Sequence, residues 1–128
     1  MIVPVYSGGV YYVTDDKLRL IPDEDRQLHE TRRPVLVVTG PTTNSDVEWP
    51  FVLVCPISSS TSRRTRYDIQ LAQGQGGVLK KCWVRVPAIQ PLMKDKLGDR
   101  LGTIEGRLLS QVQVRLAQYL GMLDSNGA

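Results

Sequence analysis

Two runs in this chain, Pro34-Val35-Leu36-Val37-Val38 and Phe51-Val52-Leu53-Val54-Cys55-Pro56-Ile57, contain no polar side chain. A strand with one wet face alternates apolar and polar residues, so an unbroken, β-branched run reads as a strand covered on both faces. Both runs fall far short of the ~20 apolar residues that span a bilayer, so they belong to a folded core. Gly40-Pro41 stops the first, and residues 42–46 read as a turn before the second. The chain has 128 residues, 41% apolar and 23% charged, the length and composition of one globular domain over 1–128. Met1 to Tyr6 carries no basic segment ahead of its apolar residues, which argues against a secretory signal and makes the cytoplasm the expected location.

Gly9-Val10-Tyr11-Tyr12-Val13 is aromatic and β-branched, the pattern of a first strand. Thr14 to Arg32 is mostly charged and interrupted by Pro22, so it reads as a long surface loop. After the second apolar run come the hydroxyl and guanidinium tract Ser58 to Arg66, a short strand Tyr67 to Leu71, the flexible turn Gln73-Gly74-Gln75-Gly76-Gly77, and a strand over Val78 to Val86 limited by Pro87. From Thr103, a residue type that caps helices, Ile104, Leu108, Val112, Leu116, Leu120 and Leu123 recur three or four apart. Five strands over about 9–86 and one amphipathic helix over about 103–123 describe a mainly β fold, a small bent barrel with a helix packed on it.

The catalytic inventory is thin. No phosphate-binding glycine loop, nucleophile elbow or zinc-protease helix is present. Cys55 and Cys82 lie in apolar strands and, with one histidine in the chain, cannot complete a four-ligand zinc site, so no metal or cofactor is expected and both read as buried thiols. Charge is unevenly spread. Residues 15–30 hold six acids and three bases, while residues 32–85 hold eight bases and three acids, so the centre of the chain suits an anionic partner.

Five groups in or beside that centre could do chemistry. His29, beside Glu30, can exchange protons near neutral pH or simply sit in a wet loop. Arg32 and Arg33 precede a buried strand, where a planar guanidinium can grip phosphate oxygens or pair with an acid of the loop. Ser58 and Ser59 leave the end of a buried strand; their hydroxyls can donate to phosphate or bond the local backbone. Arg63, Arg64 and Arg66 form a basic loop, and Lys80, Lys81 and Arg85 flank Trp83. Charge beside an aromatic platform is what single-stranded nucleic acid needs, although Trp83 equally fits a core.

The order of these parts, Gly9-Val10-Tyr11-Tyr12-Val13, a charged loop, His29-Glu30, Arg33-Pro34 with its apolar strand, Pro56-Ile57-Ser58-Ser59, then Gly77-x-Leu79-Lys80-Lys81-Cys82-Trp83 and a terminal helix, resembles the MazF/PemK family of toxins from about Ser7 to Leu120. The resemblance implies an SH3-like barrel with a C-terminal helix. It implies a homodimeric endoribonuclease of a bacterial toxin-antitoxin pair that cuts single-stranded RNA at specific sequences without a metal, and an antitoxin partner with an acidic disordered segment. Carried over, Arg33 falls on the phosphate-contacting arginine, Ser58 on the Thr/Ser ending the third strand with Ser59 next to it, and His29-Glu30 on a loop position found in PemK-type members. Lys81-Cys82 matches a basic residue and cysteine found together in some members. Where PemK-type members carry an aspartate soon after that basic residue, this chain has Trp83-Val84, so an arginine and aspartate pair on this strand is not expected. A different class of function stands beside this one: a similar barrel that cuts nothing and inhibits DNA gyrase by protein contact.

Overall fold

The computed structural model describes residues 4–19, 32–62 and 64–123. Among these residues there are seven strands, β1 (Gly9–Thr14), β2 (Arg32–Val37), β3 (Phe51–Ser58), β4 (Ile69–Leu71), β5 (Cys82–Val84), β6 (Gln90–Met93) and β7 (Arg100–Thr103), with helices α1 (Pro41–Ser45) and α2 (Gly106–Tyr119). They pair antiparallel in the order β4-β5-β3-β2-β1-β7, and β6 adds to β3.

β3 organises the sheet because three strands share it. One of its edges takes β2, from Val37↔Val54 to Val35↔Pro56. The other takes β6 along its first half, from Phe51↔Met93 to Val54↔Gln90, and β5 at its end, where Ile57 meets Val84 and Ser58 meets Trp83. Changing partners midway bends the strand, and the sheet curls around two apolar clusters. Leu36, Cys55, Ile57 and Val84 pack with Ile104 and with Leu108 and Val112 of α2. Val35, Val37, Val52 and Val54 pack on the opposite face with Tyr11, Leu18 and Leu92. The run of β2 is thus covered on both faces, as its composition predicts. In β3 only the second half is: Phe51 and Leu53 remain 42% and 39% exposed.

Several expectations need correction. Two strands went unforeseen, because Pro91 interrupts β6 and Gly102 interrupts β7, leaving no apolar run to read. The expected strand over Val78 to Val86 shrinks to Cys82–Val84, and the one over Tyr67 to Leu71 to Ile69–Leu71. Residues 42–46 belong mostly to a short helix, not a turn. Thr103 ends β7, its Oγ1 accepting from Arg100 at 2.7 Å, and the helix begins after Glu105 and stops at Tyr119. Leu120 and Leu123 are exposed beyond it.

The glycine-rich turn read as flexible is a packing element. Gly76 is buried, and a Cβ at Gly102 would lie 2.8 Å from the Gly76 carbonyl carbon, so the turn lies directly against β7 and fills the gap between the sheet's two edges. At Gly77 (φ +81) an added Cβ would collide with the Leu101 carbonyl. We expect Gly77→Ala to destabilise the protein by at least ~2 kcal/mol in urea unfolding, through the left-handed backbone and the collision together. Gly40→Ala, whose Cβ would meet nothing within 4 Å, should change little.

Both thiols are free and buried. Burial pushes the Cys55 thiol up to about 12 from its ordinary 9.0, and the Asp68 carboxylate adds to the rise. Burial also raises Cys82, with Lys80 opposing. A raised folded-state value gives stability that is complete below the unfolded value and lost as pH climbs toward the folded one. Between pH 9 and 12, Cys55 should therefore cost about 1.4 kcal/mol of unfolding free energy per pH unit, a slope that Cys55→Ala removes in urea titrations at successive pH values.

Candidate active site

Strand alternation separates the two arginines that open β2. Arg33 shares a face with Val35 and Val37, while Arg32 points to the other and lays its guanidinium carbon 3.9 Å above the Tyr12 ring. Arg33 is half-buried and opposite Val13 of β1. The β2–β3 register Val37↔Val54, Leu36↔Cys55, Val35↔Pro56 ends there, and Arg33 and Ser58 each lie two residues beyond its last pair. Ser58 in turn faces Trp83, and Trp83 faces Gln70. Ser58 at the end of β3 and Trp83 and Gln70 in the middle of β5 and β4 therefore form a row across three strands, with Arg33 at the start of β2 beyond the last β2–β3 pair.

Ser58 is half-buried, and its Oγ accepts the Ser60 amide at 3.2 Å; Ser59 is exposed. Since one hydroxyl oxygen has two lone pairs and one proton, this bond leaves the Ser58 proton available to donate. Trp83 is only 9% exposed, and Arg64 lies over its ring at 4.5 Å, so it is a covered platform, not an open one. Trp49, which has no basic neighbours in sequence, is 51% exposed and packs edge-on against Phe51.

The remaining basic residues divide. Lys80 and Lys81 are exposed on the approach to β5, not on the strand itself. Arg66 is exposed, donates to the Tyr67 hydroxyl at 2.7 Å, and shares a shallow cavity of about 200 Å³ with Tyr67, Arg115 and Gln118. His29, Glu30 and Arg63 lie outside the described residues. Among the described residues no three His, Cys, Asp or Glu side chains gather as metal ligands, and no helix is long and apolar enough to cross a membrane.

Arg85 is the correction that matters most. It does not flank a groove; it turns inward to Asp68 of the neighbouring segment, Nη1 to Oδ2 at 2.9 Å, with the two side chains 13% and 1% exposed. An arginine and aspartate pair thus exists, but across β5 and β4 and beneath the surface. The signal was present in the sequence, since Asp68 is the lone acid between Glu48 and Asp95.

The sequence profile described as "PemK-like, MazF-like toxin of type II toxin-antitoxin system" matches residues 9–120. The chain belongs to this family. Solved structures agree in fold. An endoribonuclease in complex with its cognate antitoxin from a mycobacterial species has a TM-score of 0.65 at 20% identity, covering 94% of this chain and 96% of that one. Mycobacterium tuberculosis toxin MazF-mt6 gives 0.67 at 16%, covering 88% and 96%. MazF from Deinococcus radiodurans gives 0.66 at 19%, covering 94% and 100%. No curated protein matches the chain by sequence. The SH3-like, MazF-type barrel with its terminal helix is thereby the fold of this chain.

In this MazF-like toxin Trp83 and Trp49 report on opposite environments. With Trp49→Phe removing the exposed indole, acrylamide should quench the remaining Trp83 emission poorly, and adding Arg64→Ala should raise the quenching constant about two-fold or more by uncovering the ring.

Proposed function

We propose that this chain is the toxin of a bacterial toxin-antitoxin pair and a metal-independent endoribonuclease that cuts single-stranded RNA at specific sequences. The observation that carries this reading is the row across β3, β5 and β4. Ser58 pairs with Trp83, and Arg33 and Ser58 each lie two residues beyond the last β2–β3 pair, Val35↔Pro56, which supports a shared site. Membership of the toxin family and the fold shared with the mycobacterial endoribonucleases support it.

The chemistry asks little of the protein. The RNA's own 2′-hydroxyl attacks the adjacent phosphorus, the bond to the 5′-oxygen of the next nucleotide breaks, and the products are a 2′,3′-cyclic phosphate and a 5′-hydroxyl. The protein must take a proton from the 2′-oxygen, return one to the leaving oxygen, and stabilise charge on the non-bridging oxygens. Arg33 supplies the permanent positive charge. The hydroxyl proton of Ser58, or of Ser59, donates to the phosphate, and His29 is the candidate for proton transfer. DNA lacks the nucleophile, and a paired RNA strand cannot splay its bases against an aromatic ring.

Two partners follow from the same reading. The basic balance of residues 32–85 suits an acidic antitoxin segment that folds as it binds over Arg33 and Ser58. A second copy of the chain would cover the exposed apolar residues Phe51, Leu53 and Met93 of β3 and β6 in a homodimer.

Purified protein should cleave a long mixed-sequence RNA in EDTA, with cyclic phosphate and 5′-hydroxyl ends by mass spectrometry; intact RNA at high enzyme concentration would favour the non-catalytic, protein-inhibiting class. Arg33→Ala should lower kcat on the order of 100-fold or more with little loss of affinity. Arg64→Ala should instead weaken binding and flatten its salt dependence.

A further inference from the structure

The Arg85 and Asp68 pair lies under the loop that follows Ser58, and its bonds run into that loop. Asp68 Oδ2 accepts from Arg85 Nη1 at 2.9 Å and from the Thr65 amide at 2.9 Å, while Oδ1 accepts the Val86 amide at 3.2 Å. The other arm of the guanidinium, Nη2, donates to the carbonyl of Ser60 and, at 3.4 Å, to that of Ser62. One buried ion pair therefore holds both the near and the far part of the segment joining β3 to β4. Burying a carboxylate and a guanidinium together is seldom justified by stability alone, since desolvation offsets most of their attraction. Orientation is the other return such a pair can give.

The peptide group makes that orientation specific. In a trans peptide the carbonyl and the following N–H point in opposite directions. With the Ser60 carbonyl drawn inward to Arg85, the N–H of Thr61 is turned outward. Among the described residues that N–H meets no acceptor, and Thr61 is exposed. Beside it stand the Ser60 and Ser62 hydroxyls, 2.8 Å apart, and the Ser58 hydroxyl with its proton unspent. The Ser60 and Ser62 carbonyls face the Arg85 guanidinium, while the Thr61 N–H and the Ser60 and Ser62 hydroxyls lie on the exposed side of the loop.

We propose that Arg85 and Asp68 shape the Ser58 to Ser62 loop into a backbone-amide cradle for a phosphodiester group of single-stranded RNA, with the Thr61 N–H as its central donor. The proposal rests on the endoribonuclease reading for the identity of its ligand, though not for the geometry of the loop. Arg85 acts here as a positioning residue: mostly covered and committed to Asp68 and two carbonyls, it acts on the RNA through the peptide groups it turns. A lysine cannot replace it, because one ammonium lacks the planar fork that engages a carboxylate and two carbonyls at once.

The test uses Arg85→Lys, which keeps the charge beside Asp68, and Asp68→Asn as a second variant. Inorganic phosphate titrated into the ¹⁵N-labelled wild type should shift the Thr61 amide saturably, and at least ten-fold more weakly in Arg85→Lys. Amides of β2 and β3 should keep their exchange protection while those of 61–65 exchange faster. In RNA cleavage, kcat should fall about 100-fold in Arg85→Lys with KM within about three-fold, the mark of misplaced rather than missing contacts. A Thr61 amide indifferent to phosphate in the wild type overturns the cradle, whether or not the variants fold. So does a folded Arg85→Lys protein with undiminished kcat. Phosphate binding at Thr61 in a wild type that cleaves no RNA would keep the cradle and remove the endoribonuclease reading.

Discussion

The constraint on which the rest depends is the double-sided burial of β2. Val35 and Val37 fill one cluster while Leu36 and Val38 fill the other, so this strand cannot slip by one residue without exchanging the contents of two cores. That locks the register to β3, and β3 is the strand that leaves β6 for β5 partway along. The bend it makes is what turns a seven-stranded sheet into a curled one, and it brings the ends of β2, β3 and β5 to the same rim. Arg33, Ser58 and Trp83 stand where the locked register runs out. The pairing of Ser58 with Trp83, and the position of Arg33 two residues past the last β2–β3 pair, are set by apolar residues that take no part in any chemistry.

Below that rim, the electrostatics has two layers. The surface layer is basic and, for Arg64 and Arg66, braced on aromatic rings. The layer beneath is a single closed pair, Arg85 with Asp68, whose carboxylate is also bonded by two backbone amides. The arrangement answers a problem that a hydroxyl-rich loop creates for itself. Serine and threonine side chains compete for local backbone groups and favour many loop conformations. Five consecutive residues of that kind, Ser58 to Ser62, would not hold one geometry unaided. A charged anchor that grips their carbonyls selects one.

The features legible in the sequence were those with local signatures. β1, β2 and β3 follow from apolar and β-branched runs, the helix from its period, and both thiols from their apolar neighbours. The positions of Arg33 in β2 and of Ser58 at the end of β3 were legible because each borders such a run. What escaped was decided by contacts distant in sequence. β6 and β7 are strands because β3 and β1 offer them an edge, despite Pro91 and Gly102. Gln75 to Gly77 is rigid because β7 lies against it, and a glycine tract reads the same whether it packs or swings. Arg85 was seen as one of several bases around Trp83, since nothing at position 85 says that Asp68, seventeen residues earlier, will lie 2.9 Å away. The lone acid of a basic segment was the available clue, and a buried partner for it was the inference to draw.

Arg64 and Trp83 illustrate how such a surface can be both ordered and open to ligand. A guanidinium stacked on an indole is held by about 0.5–1 kcal/mol where the ring is exposed and by about 2 kcal/mol where it is desolvated, and Trp83 is only 9% exposed. A nucleic-acid base on the same ring is worth about 1–3 kcal/mol. On the RNA-cleaving reading proposed above, a base that takes the place of Arg64 exchanges one stacking contact for another of comparable size, and the displaced guanidinium, still tethered next to the ring, is left beside the phosphates that arrive with the base. Stacking and charge neutralisation are then two parts of one exchange. On that reading the two stacking partners of Trp83 are closely matched, and the charge that Arg64 then offers the phosphates is what decides the exchange.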